Sequence, residues 1–200
     1  MVTADRELSV EQAVADAKLA AKYAGRGVVG FGIANDERGN PVAKFAEAFA
    51  IAKDAGLLVT PHAGELEGPD EVRAAIAVGA DRILHGVRAI EDIDLVAEIA
   101  QRGIALDVCP TSNVLLHVVP TISAHPLPLL LEAGVRCSIN ADDPILFGPG
   151  LLEEYQLCRD GIGLTDEQLA ACALTSLEAS GAPDHVKERA RDGIAVWLAS

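Results

Sequence analysis

The sequence is poor in basic charge. Sixteen Lys and Arg (16) stand against 30 Asp and Glu, a formal net charge of −14. Nucleic-acid backbones are gripped by Lys/Arg patches that displace counterions, so this deficit argues against a nucleic-acid partner. Long hydrophobic runs are missing too: no stretch approaches the ~20 apolar residues needed to span a bilayer, which argues against membrane embedding. Met1–Val10 lacks a basic segment followed by an apolar run, so no secretory signal is expected there. The cysteines (Cys109, Cys137, Cys158, Cys172) form no CxxC pair and are too sparse for a disulfide scaffold. Free buried thiols in a reducing, cytoplasmic compartment are the expectation. No GxGxxG or GxxxxGK[ST] follows an apolar run, which takes weight from the common nucleotide-phosphate loops.

What is present is alternation. The 200 residues, half of them apolar, suit a single domain spanning 1–200, since folded units run ~100–200 residues. Strands are expected at about Val28–Ala34, Leu57–His62, Arg82–Gly86, Ile104–Cys109 and Val135–Asn140. Several (VVGFGIA, LLVTPH, IALDVC) are near-continuous hydrophobic runs, as in strands buried on both faces of a parallel sheet. Between them, helical spacing predicts Val10–Tyr23, Pro41–Ala55, Pro69–Val78, Glu91–Arg102, Pro126–Ala133, Leu151–Arg159 and Thr165–Ser180. Pro opens three of these and Gly follows most of them, the usual asymmetry of helix ends. Thr165 with Gln168 three residues on predicts a capping box. Repeated βα units are compatible with an open doubly wound sheet or a (β/α)8 barrel.

Polar residues cluster at one end of successive strands. The second expected strand runs into His62-Ala63-Gly64-Glu65, the third ends in His85-Gly86, the fourth in Cys109-Pro110-Thr111-Ser112-Asn113, and the fifth in Asn140-Ala141-Asp142-Asp143-Pro144. In a barrel the loops at the strand C-termini build the active site. Imidazole and carboxylate bind Zn²⁺, and a further carboxylate can move protons, so the set suits a hydrolytic metal centre. Each cluster also has a plainer reading: Asp-Asp-Pro after a strand is a common helix N-terminus, and His117, His125 and His185 read as solvated or structural.

Five stretches, VVGFGIANDE (28–37), TPHAGE (60–65), LHGVR (84–88), CPTSN (109–113) and SINADDP (138–144), together resemble the adenosine deaminase family of zinc-dependent purine deaminases, in order and near its spacing. The resemblance runs from about Val2 to Ala199 and implies an α/β fold, the C-terminal five βα units of a (β/α)8 barrel, with Val2–Asp5 as the tail of the preceding strand. It implies His62 and Asp142 as zinc ligands and Glu65 as the residue that gives a proton to the purine ring. His85 would orient the attacking water, and Asp143 would hold another ring nitrogen. Gly32 and Asn35 stand where the family often has Asp and Gly, which makes Asn35 a substrate-binding candidate in an altered pocket. Adenosine, adenine or a modified nucleoside such as aminofutalosine is then the expected small-molecule purine substrate, converted to the 6-oxo product and ammonia.

The family takes two further zinc ligands from a His-x-His pair on its first strand, and no His precedes His62 here. The expectation is therefore a barrel truncated at its N-terminus, inactive by itself. Its apolar edges at Val28–Ala34 and Val135–Asn140 would favour self-association. The alternatives are a non-catalytic remnant acting as a binding protein, and a related metal hydrolase with a non-purine substrate.

Overall fold

The helix–glycine–strand rhythm is realised in the computed structural model, which describes residues 1–199. The described chain divides into two units, the first running Met1–Leu95.

The first unit opens with β1 (Val2–Asp5) and α1 (Val10–Lys22), followed by β2 (Gly30–Ala34). A 3₁₀ turn at Val42–Phe45 leads into α2 (Ala46–Asp54), then β3 (Leu58–Ala63), α3 (Pro69–Ala77) and β4 (Arg82–His85). All its strand pairs are parallel: Val2 faces Phe31, Phe31 faces Val59, and His62 faces Leu84. β1 is thus a paired strand along its whole length, from Val2↔Phe31 to Asp5↔Ala34. This corrects the expectation that Val28–Ala34 is an exposed edge: the four residues read as a tail are long enough to satisfy its ladder.

Ser9 caps α1 by accepting the Gln12 N–H at 3.2 Å, one of the donors a helix start leaves unpaired. The buried face of α1 is Ala13, Ala17 and Ala20, small side chains that admit close approach. The larger volume comes from Phe31, Phe45 and Phe49, all essentially inaccessible. Phe31 and Phe49 meet edge-on, centroids 5.6 Å apart. Each such burial is worth roughly 1.5–3 kcal/mol.

α4 (Ile93–Arg102) spans the boundary in sequence. The second unit continues with β5 (Ala105–Val108), α5 (Pro110–Leu115), α6 (Leu127–Glu132) and β6 (Arg136–Ile139). α7 (Pro144–Phe147), α8 (Leu151–Leu157), α9 (Asp166–Glu178) and α10 (Asp184–Leu198) follow. β5 and β6 are parallel, with Asp107 facing Ser138. The capping box forms as expected, Thr165 Oγ accepting from Gln168 N–H and the Gln168 side chain from Thr165 N–H. α5 and α7 begin at Pro110 and Pro144, each of which supplies a preset φ to a first turn. All four cysteines are buried thiols outside any disulfide, and burial pushes the Cys172 thiol up to about 12. Among the described residues, no helix is long and apolar enough to cross a membrane.

Candidate active site

In the first unit, β3 delivers His62 and β4 delivers His85, adjacent because Ala63 pairs with His85. The backbone turns sharply after each strand. Gly64 has φ +71, and a Cβ there would sit 2.2 Å from Val72 Cγ2, so only glycine fits the turn between His62 and Glu65. His85 and Gly86 both take positive φ, +64 and +67. For a histidine this is a costly conformation of the kind concentrated at functional sites. Two bonds tie the turns together: Gly86 N–H to the Ala63 carbonyl and Arg88 N–H to the Gly64 carbonyl, each 3.0 Å.

The side chains then converge. The His62 and His85 rings lie 5.2 Å apart, tilted by 47°, and His85 Nδ1 lies 3.3 Å from Glu65 Oε1. His85 is 2% exposed and Glu65 8%. Burial, with a smaller contribution from His62, lowers the His85 pKa to about 3. The imidazole is therefore neutral near pH 7, so its 3.3 Å approach to Glu65 is not an ion pair. His62 Nδ1 lies 2.8 Å from the Ile33 carbonyl. A carbonyl can only accept, so Nδ1 carries the proton and Nε2 keeps the lone pair, the arrangement that prepares a histidine to bind a metal.

Asn35, just past β2, has φ +78. It stands where the resembling family often has Gly, and Asn tolerates this left-handed conformation better than most residues. At Gly32, a Cβ would lie 2.6 Å from the Thr60 carbonyl oxygen, so the family's Asp could not be placed there without moving β3.

In the second unit, Asp142 also takes positive φ, +55, and accepts a 2.5 Å hydrogen bond from Ser112 Oγ–H. Ser112 is itself buried at the start of α5. Asp143 caps α7, its Oδ1 accepting the Ile145 N–H at 3.0 Å. The plainer reading of Asp-Asp-Pro as a helix start is thus correct for Asp143, whatever else that carboxylate does. Beneath them, Ser138 Oγ–H donates to Asp107 Oδ1 at 2.6 Å and accepts from Asn140 Nδ2 at 2.9 Å. His125 proves buried and structural: Nδ1 accepts the Leu127 N–H at 3.1 Å while Nε2 faces Asn113 Oδ1 at 3.3 Å.

The structure therefore brings His62, Glu65 and His85 together in the first unit, sets Asn35 at the end of β2, and places Asp142 and Asp143 side by side after β6. An imidazole lone pair, as on His62, and a carboxylate, as on Asp142, are each donor types that zinc takes.

The sequence profile described as Adenosine deaminase matches residues 1–197. The chain belongs to the adenosine deaminase family. Within the curated family members, an adenine deaminase from Sinorhizobium medicae is 44% identical over 190 residues, covering 94% of this chain and 59% of its own. Among solved structures, adenine deaminase from Arthrobacter aurescens superposes with TM-score 0.91 at 30% identity, covering 99% of this chain and 61% of that one. An amidohydrolase from Burkholderia ambifaria, solved with bound Zn, gives TM-score 0.88 at 28% identity over 96% of this chain and 54% of that one. The chain spans a little over half the length of the curated relatives it matches. Its fold is accordingly α/β, six parallel strands alternating with helices as part of an adenosine deaminase-type (β/α)8 barrel.

Sequence reasoning assigned no supporting role to the residues packed behind these side chains. Arg6, Glu37 and Glu71 are all buried in the first unit, and Asp107, Ser112 and Ser138 in the second. A signal existed for Asp107, a charge inside the hydrophobic run IALDVC. Arg6 had none: it lies among Asp5 and Glu7 in a stretch that reads as surface.

Proposed function

We propose that this chain carries the proton-moving and part of the metal-holding machinery of a zinc-dependent aminohydrolase. The substrate is an adenine-type purine, adenine, adenosine or a modified adenine nucleoside, met as a small molecule in the cytoplasm. The buried cysteines, none in a disulfide, suit a reducing compartment of that kind. The observation that carries the reading is the His62–Glu65–His85 cluster, with His62 Nδ1 held by the Ile33 carbonyl and a neutral His85 at 3.3 Å from Glu65.

Water adds to the carbon bearing the exocyclic amine, the amine leaves as ammonia, and the 6-oxo product remains. When bound, zinc supplies a nucleophile at neutral pH by lowering the pKa of water toward ~7. His62, through Nε2, and Asp142, through its carboxylate, are the residues that would serve as its ligands. Glu65 takes one proton from the adding water and gives it to the purine ring nitrogen, then moves the remaining hydroxyl proton to the leaving amine. His85, neutral and 3.3 Å from Glu65, orients the water. Asp143 offers the ring a carboxylate whose Oδ1 is already engaged by the Ile145 N–H. Asn35 borders the substrate.

Two protein ligands are fewer than the three a catalytic zinc usually has, so the chain alone should turn over negligibly. The test is ammonia release from adenine and adenosine by the purified 200-residue chain, with and without added zinc. Turnover that needs zinc and vanishes in Glu65→Gln would show that the site recruits further ligands and would overturn the expected inactivity.

A further inference from the structure

The geometry points to Arg6 and Glu37 as a buried clamp that positions the turn carrying His62 and Glu65. The inference rests on the reading of Glu65 as the proton carrier.

Arg6 follows β1 and is 1% exposed. Its guanidinium spends its donors on separate segments of the first unit. Nε–H donates to the Asn40 carbonyl at 2.9 Å, Nη1–H to the His62 carbonyl at 3.1 Å, and Nη2–H to Glu71 Oε1 at 2.7 Å. Glu37, also 1% exposed, lies 4.0 Å from Nη1 through Oε1. The same Oε1 accepts the Glu65 N–H at 3.3 Å, and Oε2 accepts the Glu67 N–H at 2.7 Å. Arg6 therefore holds the carbonyl of His62 while its partner Glu37 holds the amide of Glu65, and the chain between them turns at Gly64.

Stability alone is a poor account of this cluster. Two carboxylates, Glu37 and Glu71, share one guanidinium, and a buried ion cluster is weak evidence for net stabilisation. Burial raises the Glu37 pKa, with the Glu67 and Glu65 amides and Arg6 only opposing that shift. What the cluster does achieve is geometric. A planar fork with fixed donor directions transmits the position of β1 and α3 to the main chain of two residues of the site, and such support decides whether reacting groups are held closely enough to act.

The test is NMR on the ¹⁵N-labelled 200-residue chain, reading amide exchange at Glu65 and Glu67 and the ¹⁵N resonance of His85 Nδ1. In the wild-type chain both amides should be protected, since each is bound by a buried carboxylate. Glu37→Gln keeps the shape but turns one oxygen into an NH₂ that cannot accept. It should speed exchange at Glu65 or Glu67 by about tenfold or more and shift the His85 Nδ1 signal, while amides within α2 keep their rates. Glu47→Gln, at an exposed site on α2, removes a carboxylate of equal charge and should change neither readout. Arg6→Lys, which cannot bridge three acceptors as a fork, should reproduce the loosening and serves if Glu37→Gln does not fold. Wild-type amides of Glu65 and Glu67 exchanging as fast as exposed loop amides would overturn the clamp. So would a Glu37→Gln chain in which all of the first unit loosens equally and His85 Nδ1 does not move. Failure of Glu65 as proton carrier is a separate outcome, visible in the rate of an assembled enzyme bearing Glu65→Gln and leaving these exchange rates untouched.

Discussion

Replacing Gly64 with alanine adds one methyl group at the turn between His62 and Glu65, and the structure sets its cost in two parts. The first is conformational: with φ at +71, an L-residue in the left-handed region loses roughly 1–2 kcal/mol. The second is steric. The added Cβ would stand 2.2 Å from Val72 Cγ2, and Val72 is fully buried on α3, so it has no open direction in which to yield. Overpacking a tight core typically costs ~1–3 kcal/mol. Together Gly64→Ala should lose about 2–5 kcal/mol, a large share of the ~5–15 kcal/mol that holds a domain folded. Urea unfolding at constant pH measures it. Gly39→Ala supplies the control, since Gly39 has φ +75 with nothing within 4 Å of a built Cβ, and should lose only the conformational part. Gly64→Ala combined with Val72→Ala should be less destabilised than the sum of the single changes, because Val72→Ala removes the obstructing methyls. Strict additivity, or a Gly64→Ala loss no larger than that of Gly39→Ala, would refute the reasoning.

Further outcomes follow from the same geometry. Burial lowers the His125 pKa to about 4 from its ordinary 6.5. Between those values the unfolded chain binds more protons, so the stability is present above pH 6.5 and is lost as the pH falls through 4. The loss is about 3 kcal/mol, and unfolding free energies of wild type and His125→Gln compared from pH 7 to pH 4 should show it. Ser138→Ala withdraws a 2.6 Å donor from the buried Asp107 carboxylate and should cost roughly 1–3 kcal/mol in denaturant unfolding. Thr165→Ala removes the cap of α9 and should cost about 1 kcal/mol by the same assay.

The sequence conveyed the rhythm of the fold because parallel βα units write themselves as hydrophobic runs bounded by Pro and Gly. His62, Glu65, His85, Asp142 and Asp143 stood out because all of them follow such runs directly. Val2–Asp5 was legible as strand only through the family resemblance: four residues with two apolar side chains carry too little pattern by themselves, and that they cover the β2 edge is set by the ladder β2 offers. Arg6 and Glu37 were illegible for a different reason. Charge normally marks surface, and only three-dimensional closure shows that these two point at main-chain atoms rather than at water. The positive φ of Asn35 is half legible, since Asn in a glycine's place is a hint of left-handed backbone and no more.

The central claim is a division of labour, with Glu65 moving protons and Asp142 holding metal. It is tested most directly by measuring zinc content beside kcat in an assembled enzyme, this chain joined behind the N-terminal portion of the Sinorhizobium medicae adenine deaminase that it does not match. Glu65→Gln should keep its zinc and lose about 10²–10⁴-fold in kcat, the usual worth of a positioned acid–base group. Asp142→Ala should lose zinc and activity together, because a ligand has been taken from an already open site. A Glu65→Gln enzyme emptied of zinc, beside an Asp142→Ala enzyme that keeps it in full, would contradict the assignment.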